Sequence, residues 1–483
     1  MSNKPDYMRR RTKIVATLGP ATDDRDTLKA LLLAGVNVVR LNFSHGTFAD
    51  HQQRVTMVRE LAQELHRTIG ILGDLQGPKI RVARFVDGSI QLAAGDHFVL
   101  SANHDPDSGN QQRVGIDYKA LPNDVNVGDT LLLDDGRLRF TILKIEDGDI
   151  HCEVMNSGKL SNHKGINRRG GGLNAKALTE KDKQDLQYAV QLSMDYIALS
   201  FPRDANDLNE ARELMLSYQG DAGIIAKIER AEAVGCIDDI IRASDGVMVA
   251  RGDLAVEIGE PEVPMVQKQI VQSARSLDKP VIVATQMLES MINEPVPTRA
   301  EVSDVANAVL DHADAVMLSA ETAAGQYPDE SVEMMSDICL HVEQQPDTRI
   351  SKHRLECRFS RVDEAIAMAT MYTANHLDCQ AVLALTESGA STLWMSRIRT
   401  AMPIYGMSRF PRSLGKMALY RGVYPVEFDV TAFGHEKTNL MTVEAVLGKG
   451  YLKSGDRVIL TKGDNLGVGG GSNAMKILEV GNL

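Results

Sequence analysis

Short apolar runs alternate with longer stretches at helical spacing along most of the chain, and polar groups collect where the apolar runs stop. Thr12–Thr17 is the first run. It ends at Leu18-Gly19-Pro20, and an acidic turn at Asp23-Asp24 opens a helical pattern that Gly35 closes. The unit repeats with a strand at Val36–Phe43, a helix over Phe48–His66 and a third strand at Thr68–Leu72. From Val82 to Ala175 the rhythm breaks into short alternating strands, with Asp87-Gly88, Asp135-Gly136 and Asp147-Gly148 as hairpin turns. This predicts an inserted antiparallel β unit, with Lys164-Gly165 and Gly170-Gly171-Gly172 suited to a hinge. A capping box, Thr179 with Asp182, then restarts the helices.

Five further strands are predicted at Asp195–Ser200, Gly223–Glu229, Gly246–Ala250, Pro280–Thr285 and Asp314–Ser319, and Thr298 with Glu301 caps the helix before the last of them. With the first three they number about eight, each apolar and followed by a helix. That pattern predicts a closed (β/α)8 barrel whose catalytic groups gather at the C-terminal ends of the strands. After Gln345-Pro346-Asp347 the pattern becomes a helix at Val362–His376, a strand at Ala381–Thr386, a second helix, and strands near Ile404, Val423, Val458 and Ile477. This is the signature of an open α/β unit. The expected organisation is α/β throughout: a barrel of residues 1–78 and 176–345, an inserted β lid of residues 79–175, and a C-terminal α/β domain of residues 346–483.

Composition narrows the chemistry. A chain of 483 residues with a formal net charge of -12 is large enough for several cores and argues against general binding to nucleic acid or to a membrane surface. Cys152, Cys236, Cys339, Cys357 and Cys379 are scattered without C-x-x-C spacing, so neither a disulfide framework nor a thiolate zinc site is expected, and a reducing cytoplasm fits. The basic start Met8-Arg9-Arg10-Arg11 runs into a strand pattern and not into a signal-peptide core, and no apolar stretch is long enough to span a bilayer.

The strand ends hold the candidate site. Lys227 and Glu229 lie two apart and share a face at the end of one strand, and Asp253 follows the end of the next in Arg251-Gly252-Asp253. Two carboxylates at neighbouring strand ends can hold one hard divalent cation, and Lys227 and Arg40 beside it would neutralise a highly anionic substrate such as one carrying phosphate and carboxylate. Gly252-Asp253-Leu254 can open a helical turn toward that carboxylate. Thr285, Ser319 and Glu321 bring hydroxyls and an acid to the same mouth and can relay a proton. Asn42, His45, Arg81 and Lys164 are the remaining polar and basic groups near the mouth and the insertion, where no G-x-x-x-x-G-K-[ST] loop exists to bind a nucleotide. In the C-terminal unit, Thr386-Glu387-Ser388-Gly389-Ala390-Ser391 joins a strand to a helix and can cradle a phosphate, with Gly463–Gly471 as a second wall. Two other readings stay open at this level: a barrel lyase or aldolase that forms an enolate on Mg2+ without nucleotide, and a non-catalytic metabolite sensor.

Six stretches carry a resemblance: Arg40–Gly46, Ile225–Glu229, Met248–Leu254, Ala284–Met291, Pro297–Glu301 and Met317–Thr322. On these the chain resembles the pyruvate kinase family over essentially its whole length. The resemblance implies a barrel with a β-barrel lid, a C-terminal regulatory domain and a homotetramer, and phosphoryl transfer between phosphoenolpyruvate and ADP that yields pyruvate and ATP. It implies Glu229 and Asp253 as ligands of Mg2+, with Mn2+ as a substitute, and Lys227 as stabiliser of the transition state. Arg40 would hold the phosphate, Gly252, Asp253 and Thr285 the carboxylate end, and Asn42, His45, Arg81 and Lys164 the nucleotide. Protonation of the enolate would use Thr285 and a water near Ser319 and Glu321.

Two departures from the family pattern follow. Asn42, Ser44, Asp74 and the backbone of Leu75 match the K+ pocket of many members, but Lys79 stands in Gly77-Pro78-Lys79 where K+-dependent members resemble Gly-Pro-Glu. A tethered ammonium is expected to replace the ion, so K+ is not expected to be required. In the C-terminal loop, Glu387 opposes a second phosphate. The expected effector is therefore a sugar monophosphate or AMP, cradled by Thr386, Ser388, Gly389 and Ser391.

Overall fold

The computed structural model describes residues 10–349, 358–465 and 467–482. Met8, Arg9, Cys357 and Leu466 of the sequence reading lie outside them. Eight parallel strands close into a barrel in chain order: β1 (Lys13–Thr17), β2 (Val38–Asn42), β3 (Gly70–Asp74), β4 (Tyr196–Leu199), β5 (Gly223–Ile228), β6 (Gly246–Ala250), β7 (Val281–Ala284) and β8 (Ala315–Leu318). Strand β8 pairs back onto β1, from Lys13 opposite Ala315 to Ala16 opposite Leu318. Strand residues alternate between two cores. Ile224, Ala226 and Ile228 of β5 pack outward among helix residues such as Leu208 and Ile240. Ile225 points inward with Val15, Leu72, Met248 and Ile282, which places Lys227 next on the inner face.

The helices begin where their capping chemistry lies. Asp24 accepts from the backbone N–H groups of Asp26 and Thr27 at the start of Arg25–Ala34, and both expected capping boxes form, Thr179 with Asp182 and Thr298 with Glu301. Among the described residues no helix is long and apolar enough to cross a membrane.

The insertion leaves the barrel after β3 and returns before β4. It is a curled six-stranded sheet with a separate two-stranded ribbon, antiparallel except where His97–Ser101 runs parallel to Arg113–Gly115. Asp147-Gly148 joins Leu138–Glu146 to Asp149–Val154 as a two-residue hairpin, both residues having positive φ. Asp135-Gly136 turns between Thr130–Leu133 and Leu138–Glu146, again as expected. Asp87-Gly88 turns the chain but makes no hairpin, because Ser89–Leu92 takes its ladder partner from the distant Gly158–Ser161.

The C-terminal sheet contains β9 (Ala381–Leu385), β10 (Ile404–Ser408), β11 (Val423–Glu427), β12 (Arg457–Gly463) and β13 (Ser472–Glu479), in the order β11-β10-β9-β12-β13 with β13 antiparallel. It packs beneath the N-terminal ends of the barrel strands. Tyr196 at the start of β4 donates to Lys416 O at 2.8 Å, and Lys13 of β1 donates to Val423 O. The floor is thereby covered, and the mouth is the barrel end from which the insertion departs.

Candidate active site

Charged side chains meet inside the mouth on β2, β3 and β5. Lys227 Nζ lies 3.2 Å from Asp74 Oδ1 and 3.0 Å from Glu229 Oε1, and it donates to Ser200 Oγ at 2.7 Å. Arg40 Nε donates to the other Asp74 oxygen at 2.7 Å, while its terminal nitrogen reaches Thr17 Oγ1 at 3.0 Å. Asp74 and Glu229 are each about 1% exposed, so these charges are held by one another and not by water. Burial works against the Lys227 ammonium, but Asp74 and Glu229 outweigh it and hold it above the ordinary lysine value. Burial likewise opposes the Asp74 carboxylate, and Lys227 and Arg40 keep it below the usual range. Glu229 is pushed up to about 7 by burial, with Asp253 and Asp74 adding to the push and Lys227 opposing it.

The opposite wall comes from β6 and β7. Arg251–Ile258 forms a helix directly after β6, and Gly252 N donates to Thr285 Oγ1 at 2.9 Å. Thr285 and Gln286 both have positive φ, 68° and 53°, which is unusual for a β-branched residue and is the kind of strain that collects at functional sites. Arg251 fixes the turn by donating to Thr285 O at 2.6 Å and to Asp304 at 2.7 Å. Glu321 is 2% exposed, and its two oxygens accept from Ser319 N at 2.7 Å and Leu288 N at 3.2 Å. It braces the ends of β7 and β8 with a carboxyl that burial raises above its ordinary value.

Among the described residues no group of three or more His, Cys, Asp or Glu side chains forms a protein cage for a metal. The donor set facing the mouth, Glu229 and Asp253, instead suits a hard ion that keeps waters and substrate oxygens in its shell, as Mg2+ does. Lys79 Nζ lies 3.3 Å from Asp253 Oδ1. That contact differs from the expected one. The groups of the K+-type pocket have other partners: Asp74 is paired with Arg40 and Lys227, Asn42 Oδ1 accepts from Ser44 N at 3.1 Å, and Leu75 O accepts from Ser200 Oγ at 2.6 Å. The reason is reach, since Lys79 leaves the barrel with the insertion and meets the helix after β6.

Of the nucleotide candidates, Asn42 stands opposite Asp74 of the Lys227 cluster in the β2–β3 ladder, and the other three lie on the loop after β2 and on the insertion. His45 is exposed on the loop after β2. Arg81 pairs through its backbone with Gly165 at the root of the insertion, and Lys164 is ion-paired with Asp134 at 2.7 Å. Sequence reasoning passed over Ser200 and Phe201. Ser200 links Lys227 to Leu75, and Phe201 N donates to Glu229 Oε2 at 2.9 Å. The available signal was position, since Ser200 ends an apolar strand in the way Ser319 does.

In the C-terminal unit, Thr386, Ser388 and Ser391 line one pocket with Lys462 and Gly467. Gly389 has φ 84°, and its N–H donates to Thr386 Oγ1 at 2.9 Å. Among the described residues Ser391 Oγ is buried there without a hydrogen-bond partner. Glu387 is held by Arg409 at 3.3 Å, which offsets part of the negative charge expected to face a ligand.

Comparison with known proteins agrees with this geometry. Residues 9–332 match the family model "Pyruvate kinase, barrel domain", and residues 364–478 match "Pyruvate kinase, alpha/beta domain". The chain is 55% identical over 479 residues to pyruvate kinase II of Salmonella typhimurium, covering 98% of this chain and 99% of that one. It is 51% identical over 461 residues to the pyruvate kinase of Haemophilus influenzae, covering 94% and 96%. A crystal structure of a pyruvate kinase from Cryptosporidium parvum superposes with a TM-score of 0.92 at 33% identity, covering 99% of this chain and 98% of that one.

Proposed function

The chain belongs to the pyruvate kinase family of enzymes, whose reaction converts phosphoenolpyruvate and ADP to pyruvate and ATP, and on that premise we propose how its own residues divide the work. One observation carries the reading: the Lys227 ammonium is pinned between Asp74 and Glu229, with Arg40 on the far oxygen of Asp74. Glu229 and Asp253 would hold Mg2+, and Mn2+ would suit the same donors. When bound, the ion supplies Lewis-acid charge to substrate oxygens. Arg40 binds the transferring phosphoryl group. Lys227 faces the charge that develops as the P–O bond to the enolate oxygen breaks and a bond to an ADP phosphate oxygen forms. Gly252, Asp253 and Thr285 orient the carboxylate end. Thr285 and Ser319 deliver a proton to the enolate carbon through water, with Glu321 fixing the position of Ser319. Asn42, His45, Arg81 and Lys164 meet the nucleotide as the insertion closes, with residues 79–175 acting as the lid.

We further propose turnover without added K+, a regulatory monophosphate bound by Thr386, Ser388, Gly389 and Ser391, a homotetramer, and a cytoplasmic setting. Charge at the mouth as a whole supports turnover without K+. Lys79 adds a cation on the Asp253 side, while Arg40 and Lys227 already occupy Asp74.

The test of the mechanism is Lys227→Met. Loss of a preorganised charge at the transition state is expected to lower kcat by about 100-fold or more while KM for phosphoenolpyruvate changes little. A variant that keeps kcat within a few-fold of the parent would overturn the assignment of Lys227.

A further inference from the structure

On the floor of the barrel, far from the mouth, five guanidinium groups converge on one small pocket. Arg11 enters from before β1, Arg275 from the end of the helix Val263–Ser276, Arg397 and Arg399 from the segment before β10, and Arg421 from before β11. His312 and Asp314 line it as well. Two carboxylates lie against three of these cations, Arg397, Arg11 and Arg421. Asp314 takes the fork of Arg397, and Glu343 lies 3.5 Å from Arg11 Nε and 3.3 Å from Arg421 NH2.

The guanidinium groups are not equally engaged. Arg11 donates to Thr348 O at 2.8 Å, Thr400 O at 2.6 Å and Glu343 O at 2.6 Å, and Arg397 adds Lys279 O at 2.9 Å to its fork. Among the described residues Arg275 makes one long contact, 3.4 Å from NH2 to Arg397 O. Arg421 donates from NH1 to Thr12 Oγ1 and to Ala313 O at 2.9 Å, but among the described residues its buried NH2 has no hydrogen bond beyond its ion pair. The donors left over therefore belong to Arg275 and Arg421, and both arginines line the same pocket.

Charge gathered below the surface without matching counter-charge is costly, and forked guanidinium donors are matched by the oxygens of a phosphate or sulfate. His312, 4% exposed, sits in the same field: burial and then Arg421, Arg275, Arg399 and Arg11 push its imidazole down to about 2, which keeps the ring neutral beside the cations. We propose that this pocket is an oxyanion site, taking inorganic phosphate or the phosphate group of a small monoester between Arg275 and Arg421, and thereby joining the barrel floor to the C-terminal sheet. It is separate from the Thr386–Ser391 loop, which follows the C-terminal end of β9, whereas this pocket meets β10 and β11 at their N-terminal ends.

The experiment is calorimetric titration and thermal unfolding of the full chain with sodium phosphate, against sodium chloride at matched ionic strength, for the parent and Arg275→Gln. Arg40→Gln serves as a background that weakens phosphate binding at the mouth. Saturable binding of phosphate, absent with chloride, is expected in the parent and in Arg40→Gln, and Arg275→Gln is expected to bind at least ten-fold more weakly while retaining its turnover. In phosphate-free buffer Arg275→Gln should melt no lower than the parent, because it removes an unanswered charge. Glycerol 2-phosphate that competes identifies a monoester as the ligand, and failure to compete identifies the free ion. No saturable binding, or equal affinity in parent and Arg275→Gln, would overturn the proposal. So would an Arg275→Gln variant that melts lower without phosphate and sediments at a smaller mass, since the arginine would then be answering a carboxylate of a second copy.

Discussion

Lys227 shows how a single residue is set by its surroundings. An ammonium buried with one carboxylate would lose much of its pairing energy to desolvation, but here two carboxylates and a hydroxyl receive it. His312 gives a residue-scale prediction about pH. Its folded value is pushed down to about 2 by burial and by the surrounding arginines, whereas an unfolded histidine titrates near 6.5. The unfolded chain therefore takes up the proton first, so stability is full above about pH 6.5 and falls as pH drops below it. Between pH 6.5 and pH 5 the single group should cost about 2 kcal/mol. His312→Asn, which tolerates the observed φ of 65°, is expected to flatten that part of the stability profile measured by urea unfolding. A profile parallel to the parent's would show that His312 is not the group titrating.

At the scale of elements, much was legible and the exceptions have a common cause. The eight barrel strands, the two capping boxes and the Asp147-Gly148 hairpin follow from local patterns, so the sequence order of apolar runs carries them. The placement of Lys227 and Glu229 on one inward face followed from a spacing of two along a strand. What was not legible depends on partners remote in the chain. Ser89–Leu92 pairs with Gly158–Ser161, Lys79 meets Asp253, and the floor pocket joins Arg11 to Arg275 and Arg421. The positive φ of Thr285 was also hidden, since a threonine gives no signal for a left-handed turn that Arg251 enforces. The Lys79 contact yields a prediction at this scale. Lys79→Gln removes a cation from the hinge side of the mouth, so turnover in K+-free buffer is expected to fall several-fold and to be partly restored by added K+. Unchanged K+-free turnover would mean that Arg40 and Lys227 suffice without it.

For the molecule as a whole, the barrel has two loaded ends. The mouth carries the Lys227, Asp74, Glu229 and Arg40 charges and the insertion, and the floor is closed by the C-terminal sheet through Tyr196, Lys13 and the arginine cluster. A ligand bound in the C-terminal unit can act on the mouth only by favouring one arrangement of these packed bodies over another. With Glu387 held by Arg409 and Lys462 as the cation lining the loop pocket, sugar monophosphates or AMP are expected to raise affinity for phosphoenolpyruvate, and a sugar bisphosphate is expected to be weaker. Ser391→Ala should shift the activation midpoint without altering the basal rate, and a selective, tight response to the bisphosphate would refute the monophosphate reading. The most direct measurement for the account is steady-state formation of pyruvate and ATP from phosphoenolpyruvate and ADP, with Mg2+ supplied or chelated, in buffer free of Na+ and K+. Turnover that requires both ADP and Mg2+ and proceeds without K+ is the expected result. Pyruvate formed without ADP, or turnover that survives chelation of the divalent ion, would contradict the roles given to Lys227, Glu229 and Asp253.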